Sequence, residues 1–81
     1  MNYTATLADL PVGQGARVTA LATQGSIRRR LIDIGLIENT QVECLGRSPA
    51  GDPSAYLIRG AVIALRQEDS KRVFIEREGA E

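Results

Sequence analysis

The side chains that usually carry chemistry in proteins are scarce in this sequence. The 81 residues include no His, one Cys and 10 Asp+Glu. Without imidazole and with a single thiol, the usual zinc sites and the His-dependent catalytic triads are excluded. Asp52, Glu68 and Asp69 lack the spacing of a cation site, and Gly13–Gly15 lacks the further residues of a phosphate-binding loop. We therefore predict a protein that is not an enzyme, with no catalytic residue, no metal site and no cofactor.

Three consecutive arginines, Arg28, Arg29 and Arg30, are the most visible charged feature. Successive residues of a helix are rotated by about 100°, so these side chains splay, with Arg28 and Arg29 toward solvent and Arg30 beside the apolar stripe. The run fits a solvated helix face, a contact with an acidic protein surface, or a nucleic-acid contact. Because the charges balance at 10 Lys+Arg against 10 Asp+Glu and only 4% of residues are aromatic, nucleic acid is the least favoured of the three.

Ile32 falls outside the apolar stripe of the same helix. Two interpretations are open. A short helix wedged between a sheet and a loop would bury Ile32; alternatively, Ile32 forms an exposed apolar spot with Leu36 and Ile37 that docks a partner. The lone Cys44 alternates with buried positions and is interpreted as a small core residue.

Length and composition place the chain among small soluble domains. We predict a single domain over residues 1–81, with a core from about 7 to 75 and a frayed tail at 78–81. No segment reaches the ~20 apolar residues of a membrane span, and the first residues lack the pattern of a signal peptide. The single Cys suits a reducing compartment. We expect a cytoplasmic location.

One convincing helix is predicted from Ser26 to Ile34, with Ser26 as its N-cap. Its stripe consists of Ile27, Leu31 and Ile34, and Gly35 follows as a left-handed C-terminal residue. Arg29 and Asp33 are spaced to pair on the exposed side. A helix this short needs a surface to pack on.

That surface is predicted to be a sheet of about five short strands. The patterns indicate strands at Ala16–Leu21, Gln41–Arg47, Tyr56–Ile58, Ala61–Leu65 and Val73–Arg77. A loop at Ser48–Pro53, a tight turn at Arg59–Gly60 and one helical turn at Gln67–Lys71 connect them. We predict a mainly β fold, a small SH3-like, partly closed β-barrel with one short inserted helix. A ferredoxin-like sandwich would need two long helices.

The motifs in this order resemble the FeoA family, the small ferrous iron transport protein A, from about Leu7 to Ile75. The resemblance is carried by Leu7-x-x-Leu10-Pro11-x-Gly13, Arg29-Arg30-Leu31-x-Asp33-x-Gly35-Leu36, Arg47-Ser48-Pro49-x-Gly51-Asp52-Pro53, Tyr56-x-Ile58-Arg59-Gly60 and Ile63-Ala64-Leu65-Arg66. Similar modules form the C-terminal domain of iron-dependent repressors. Since this sequence shows no helix-turn-helix, the resemblance to FeoA is favoured. Family members usually have Gly where this chain has Asn39, and we expect a positive φ there, which Asn tolerates.

The resemblance implies an SH3-like barrel and a role beside the ferrous iron permease FeoB, whose cytosolic G-domain is the expected partner. The chain would modulate or assemble the transporter as an adaptor, with no nucleic-acid contact and no direct membrane insertion. Its oligomeric state is left open. The alternative is a metal-sensing regulatory module related to the C-terminal domain of iron-dependent repressors. The expected partner-binding residues are Arg28, Arg29, Ile32, Asp33, Leu36 and Ile37.

Overall fold

The computed structural model describes residues 5–77 and contains six strands and two helices in that range. The predicted frayed tail at 78–81 lies outside the described residues. The elements are β1 (Ala5–Thr6), β2 (Gly15–Leu21), α1 (Gly25–Asp33), β3 (Gln41–Arg47), β4 (Ser54–Ile58), β5 (Ala61–Leu65), α2 (Gln67–Ser70) and β6 (Val73–Arg77). A short 3-10 helix at Leu7–Asp9 follows β1.

The strands form one antiparallel sheet in the order β1-β6-β2-β3-β4-β5. The predicted mainly β fold is confirmed, and the five predicted strands are all present. The sixth, β1, is only two residues long, which is too short for an alternating pattern to reveal it. Strands β2 to β5 pair in chain order, whereas β6 returns to lie between β1 and β2.

Side chains from all six strands and from the 3-10 helix meet in one buried core. The sheet curls, because groups on β3 and β4 reach the segment that follows β1. Tyr56 Oη donates a hydrogen bond to the Leu7 carbonyl oxygen at 3.3 Å, and a guanidinium nitrogen of Arg47 donates to the Leu10 carbonyl oxygen at 2.9 Å. Leu7 and Leu10 are both fully buried, and so is Cys44, as predicted. Closure gives the short strands a shared interior.

Two turns have the backbone geometry that the sequence indicates. Arg59 and Gly60 have φ values of 51° and 86°, so the two-residue connection between β4 and β5 has a positive φ at both positions, as type I′ hairpins require. Asn39 has a φ of 75°, which confirms the expected left-handed conformation. The predicted helical turn after β5 is also present, as α2.

The predicted strand at Ala16–Leu21 is present as β2, but its alternation of buried and exposed residues stops at Ala20. The register of β2 against β6 shifts between Val18 and Ala20, where two steps on β2 oppose one step on β6. An extra residue of this kind is a β-bulge, which turns the following side chains to the other face. Val18 is therefore buried, whereas Ala20 is exposed.

Within residues 5–77, neither helix has the length and apolar character that crossing a bilayer requires.

Candidate functional site

Helix α1 packs on the sheet through its apolar stripe. Leu31 is fully buried, and Ile27 and Ile34 are partly buried against the same core, which confirms the predicted stripe. The helix begins at Gly25 rather than Ser26, and its N-cap is Gln24, without a side-chain cap. The prediction of Ser26 as N-cap is therefore wrong. Gly25 has a φ of 71°, a left-handed value that glycine adopts readily.

The C-terminal end of α1 forms a Schellman motif. The Gly35 amide donates to the Ile32 carbonyl oxygen at 2.9 Å, and the Leu36 amide donates to the Leu31 carbonyl oxygen at 3.0 Å. Gly35 has a φ of 106°, as expected for the left-handed residue after a helix. This motif folds the residue after Gly35 back toward the last turn. Leu36 is consequently 0% exposed, and the expectation that it forms part of an exposed apolar spot is wrong.

Gly35 also lies directly beneath the β4–β5 turn. A Cβ atom at this position would be 2.6 Å from Cδ of Arg59 and 3.4 Å from Cγ2 of Ile58. No real Cβ tolerates the shorter distance, so the stem of Arg59 can lie here only because residue 35 has no side chain. The end of α1 is therefore held close to the far side of the sheet.

Backbone hydrogen bonds fix the loop between α1 and β3. The Asn39 amide donates to the Val18 carbonyl oxygen at 2.7 Å, and the Val18 amide donates to the Thr40 carbonyl oxygen at 2.8 Å. The left-handed Asn39 is also a side-chain acceptor, since Nη1 of Arg17 donates to its Oδ1 at 2.7 Å. These bonds extend the β2–β3 pairing and set the position of Ile37.

A surface groove of about 350 Å³ runs between α1, this loop and the second half of β2. We call it the α1 groove. Four of the six predicted partner-binding residues line it: Arg28, Ile32, Leu36 and Ile37. Ile32 is 38% exposed and Ile37 is 41% exposed, so both apolar side chains are open to solvent, whereas Leu36 is packed into the core. Of the two interpretations of Ile32, the structure supports exposure.

The three arginines have three different environments. Arg28 lines the α1 groove. Arg29 is exposed outside it. Arg30 turns toward α2, where its Nη2 lies 2.7 Å from Oδ2 of Asp69. The predicted Arg29–Asp33 pair is absent: within residues 5–77, neither side chain has an oppositely charged partner within ion-pair distance. Asp33 is exposed on the side of α1 away from the groove lining.

Sequence reasoning missed the contribution of β2 and Glu38 to the groove. Thr19 and Leu21 line one wall, and Thr19 lies within the bulge that breaks the alternation of β2, whereas Leu21 lies beyond it. No pattern within β2 itself predicts that bulge. Glu38 adds a negative charge to a lining that also carries the positive charge of Arg28. The sequence does place an acidic residue directly after the predicted contact residue Ile37, and this position indicates that Glu38 belongs to the same surface.

Two other features bear on possible chemistry. Among residues 5–77, no three side chains from His, Cys, Asp and Glu come together as a metal-binding group. A second cavity of about 250 Å³ beside α2 is lined by polar groups that include Arg47, Ser54 and Ser70. Its most basic group is already engaged, because Arg47 Nη1 donates to Oγ of Ser54 at 2.9 Å and its other terminal nitrogen is bonded to Leu10. The α1 groove is the better candidate site.

Comparison with known proteins identifies relatives that agree with one another in family and fold. A curated protein from Porphyromonas gingivalis, the Fe(2+) transport protein A/Fe(2+) transporter FeoB fusion protein, is 26% identical over 70 residues. That match covers 86% of this chain and 8% of the fusion protein, so the chain spans a small part of its length.

Among solved structures, a FeoA-like protein from Clostridium acetobutylicum superposes with a TM-score of 0.89 at 25% identity, covering 100% of this chain and 94% of that chain. FeoA of Stenotrophomonas maltophilia, solved with zinc and described as a prokaryotic SH3 domain protein, has a TM-score of 0.78 at 28% identity, covering 88% of each chain. A manganese-dependent transcriptional repressor shares the fold with a TM-score of 0.83 at 14% identity, over 95% of this chain and 42% of that chain.

The family comparison covers the whole described region. The model of the FeoA domain matches residues 5–77, which includes every strand, both helices and all residues of the α1 groove. The SH3-like character predicted for the barrel agrees with the relative from Stenotrophomonas maltophilia. The chain belongs to the FeoA domain family.

Proposed function

We propose that this protein is an accessory protein of bacterial ferrous iron uptake that binds a FeoB-like permease. The observation that carries the proposal is the relative from Porphyromonas gingivalis, in which a homologous segment and the transporter FeoB are parts of one polypeptide. Fusion places two proteins at a high effective concentration, which is useful when the two act in contact. The separate chain would make the same contact without a covalent link.

The α1 groove is the proposed contact surface. It presents two exposed apolar side chains, Ile32 and Ile37, and its lining also includes the positive charge of Arg28 and the negative charge of Glu38. A small apolar centre with a charged rim is the usual anatomy of a protein–protein contact. The backbone bonds around Asn39 hold the loop in place, which reduces the entropy lost when a partner binds.

The proposed partner region is the cytosolic G-domain of the permease. Binding there would let this protein assemble the transporter or modulate its nucleotide hydrolysis. The mainly apolar lining of the groove supports a docking role.

Titration of the cytosolic domain of the cognate permease tests the proposal. The domain should be measured nucleotide-free, with GDP and with a GTP analogue, against the native protein and a matched pair of charge reversals. Arg28→Glu alters the groove, and Arg29→Glu makes the same change one residue away, outside it. We expect Arg28→Glu to weaken binding by about tenfold, or about 1.4 kcal/mol, and Arg29→Glu to bind like the native protein. Absence of binding in every nucleotide state would refute the proposal.

The metal-sensing alternative is tested separately. Its support is a fold shared with a repressor at 14% identity, and the described residues 5–77 hold no cluster of metal-binding side chains. Anaerobic titration with ferrous ion distinguishes the two functions. Tight stoichiometric binding of the ion would favour the sensor, whereas binding of the permease domain without it favours the adaptor.

A further inference from the structure

Strand β5 is an exposed sheet edge without the usual protection. It lies at one end of the strand order, and the opposite edge strand, β1, has only two residues. Edge strands are normally kept short or carry charges or prolines that prevent pairing with another chain. The five residues of β5, Ala61–Leu65, include no charged residue and no Pro. Val62 is 67% exposed, the highest value among the exposed large apolar residues of the described chain.

The turn before β5 determines which of its backbone groups point outward. Ile58 and Ala61 pair directly on either side of the two-residue turn, and residues in that position exchange both hydrogen bonds. Hydrogen-bonded and non-bonded pairs alternate along an antiparallel ladder. Ala61, Ile63 and Leu65 therefore bond to β4, whereas the amides and carbonyls of Val62 and Ala64 point to the open edge. No strand within residues 5–77 pairs with that edge.

We propose that β5 pairs antiparallel with β5 of a second copy of this chain, around a two-fold axis at Ile63. In this register Val62 lies opposite Ala64 of the second copy, and the reverse pair follows by symmetry. All the outward backbone groups of both residues then find partners, which gives four backbone hydrogen bonds.

The side chains fit this arrangement. The cross-strand pair of Val62 and Ala64 combines a β-branched residue with a small one on the outer face of the sheet. Ile63 is partly buried against the core and becomes covered by its counterpart. Since β5 carries no charge, no like charges oppose each other, and Arg66, directly after it, lies across from Gly60 of the second copy. A strand with these properties is self-complementary, as a two-fold contact requires.

This inference goes beyond the proposed function and does not depend on it. No residue of β5 lines the α1 groove, so a dimer formed at this edge would keep both grooves free for a partner.

A matched pair of substitutions at residue 62 tests the dimer. Val62→Pro removes an amide that points outward, so the bonds between β4 and β5 remain, as is usual for Pro on an edge strand. Val62→Thr keeps the amide and the β-branched shape. Sedimentation velocity of the isolated protein should show a native chain that shifts from monomer to dimer as its concentration rises. Val62→Thr should behave alike, and Val62→Pro should remain monomeric, with circular dichroism confirming that each variant is folded.

Amide hydrogen exchange of the native protein provides a second readout that needs no variant. The amides of Val62 and Ala64 should exchange more slowly as the concentration rises, whereas the Asn39 amide, which is bonded to the Val18 carbonyl in the loop of the α1 groove, serves as an internal reference outside the proposed interface. A native chain that stays monomeric at millimolar concentration would overturn the proposal, and so would a dimer that persists in Val62→Pro.

Discussion

Gly35 is the residue on which the shape of the α1 groove most directly depends. Its φ of 106° ends helix α1 and sends Leu36 inward, and its missing side chain makes room for the stem of Arg59. The first role can be predicted from a glycine after a helical stripe. The second could not be predicted, because it needs the β4–β5 turn to arrive from more than twenty residues further along the chain.

Replacement of Gly35 by Ala should therefore destabilise the protein. The backbone conformation disfavours an L side chain, and the new Cβ would meet Cδ of Arg59. We expect the free energy of unfolding to fall by about 1–3 kcal/mol, measured by urea denaturation. Gly46→Ala is the control, since its Cβ has nothing within 4 Å and its φ is not positive. Equal effects of the two substitutions would contradict the strain assigned to Gly35.

At the scale of elements, α2 illustrates how a loop supports a helix. Oδ1 of Asp52, in the loop between β3 and β4, accepts a hydrogen bond from the Gln67 amide at 2.9 Å. Asp69 of the same helix pairs with Arg30 of α1. The pair is more than half exposed on its Arg30 side, so it adds little stability. The hydrogen bond from Asp52 caps the first amide of α2 from another loop.

Removal of that cap should weaken α2 measurably. Asp52→Ala leaves the Gln67 amide without its acceptor, and loss of an N-terminal cap typically costs about 0.5–2 kcal/mol. Asp52→Asn keeps an acceptor oxygen and should lose less. Thermal or urea unfolding of the two variants checks the order, and an Asn variant that is less stable than the Ala variant would contradict this role.

Sequence patterns predict the burial of side chains within an element better than at the points where the chain turns or bulges. The period of Ile27, Leu31 and Ile34 correctly places α1 on the sheet, because that stripe is local. The same patterns place Leu36 on the surface, whereas it is buried, because the Schellman motif at Gly35 folds the chain back toward the core. The bulge at Val18 and Ala20 depends on pairing with β6, more than fifty residues away, so β2 alone does not reveal it.

For the whole molecule, closure of the sheet is the property that the core requires. Tyr56 contributes to it through a buried ring, 1% exposed, and through its hydrogen bond to the Leu7 carbonyl. The mainly β, barrel-like fold could be predicted, since five short strands and one small helix have few other ways to share an interior. The hydrogen bonds that close it join residues 49 and 37 positions apart and leave no sequence signal.

Tyr56→Phe should retain the fold with a modest loss of stability. The ring remains in place, and the Leu7 carbonyl keeps its bond from the Leu10 amide at 3.2 Å, so no buried acceptor is left without a partner. We expect a loss of about 0.5–1.5 kcal/mol from denaturation curves with unchanged slope. A loss well above this range would show that the hydroxyl has a larger role in closure.

The docking role of the α1 groove is tested most directly by a matched pair of apolar substitutions. Ile32 lines the groove and is 38% exposed, whereas Leu45 is 39% exposed on β3, outside the groove. Each should be replaced by Glu, shown to be folded by circular dichroism, and titrated calorimetrically with the cytosolic domain of the permease. We expect Ile32→Glu to abolish binding and Leu45→Glu to bind like the native protein. Equal affinities of the two folded variants would contradict docking at this groove.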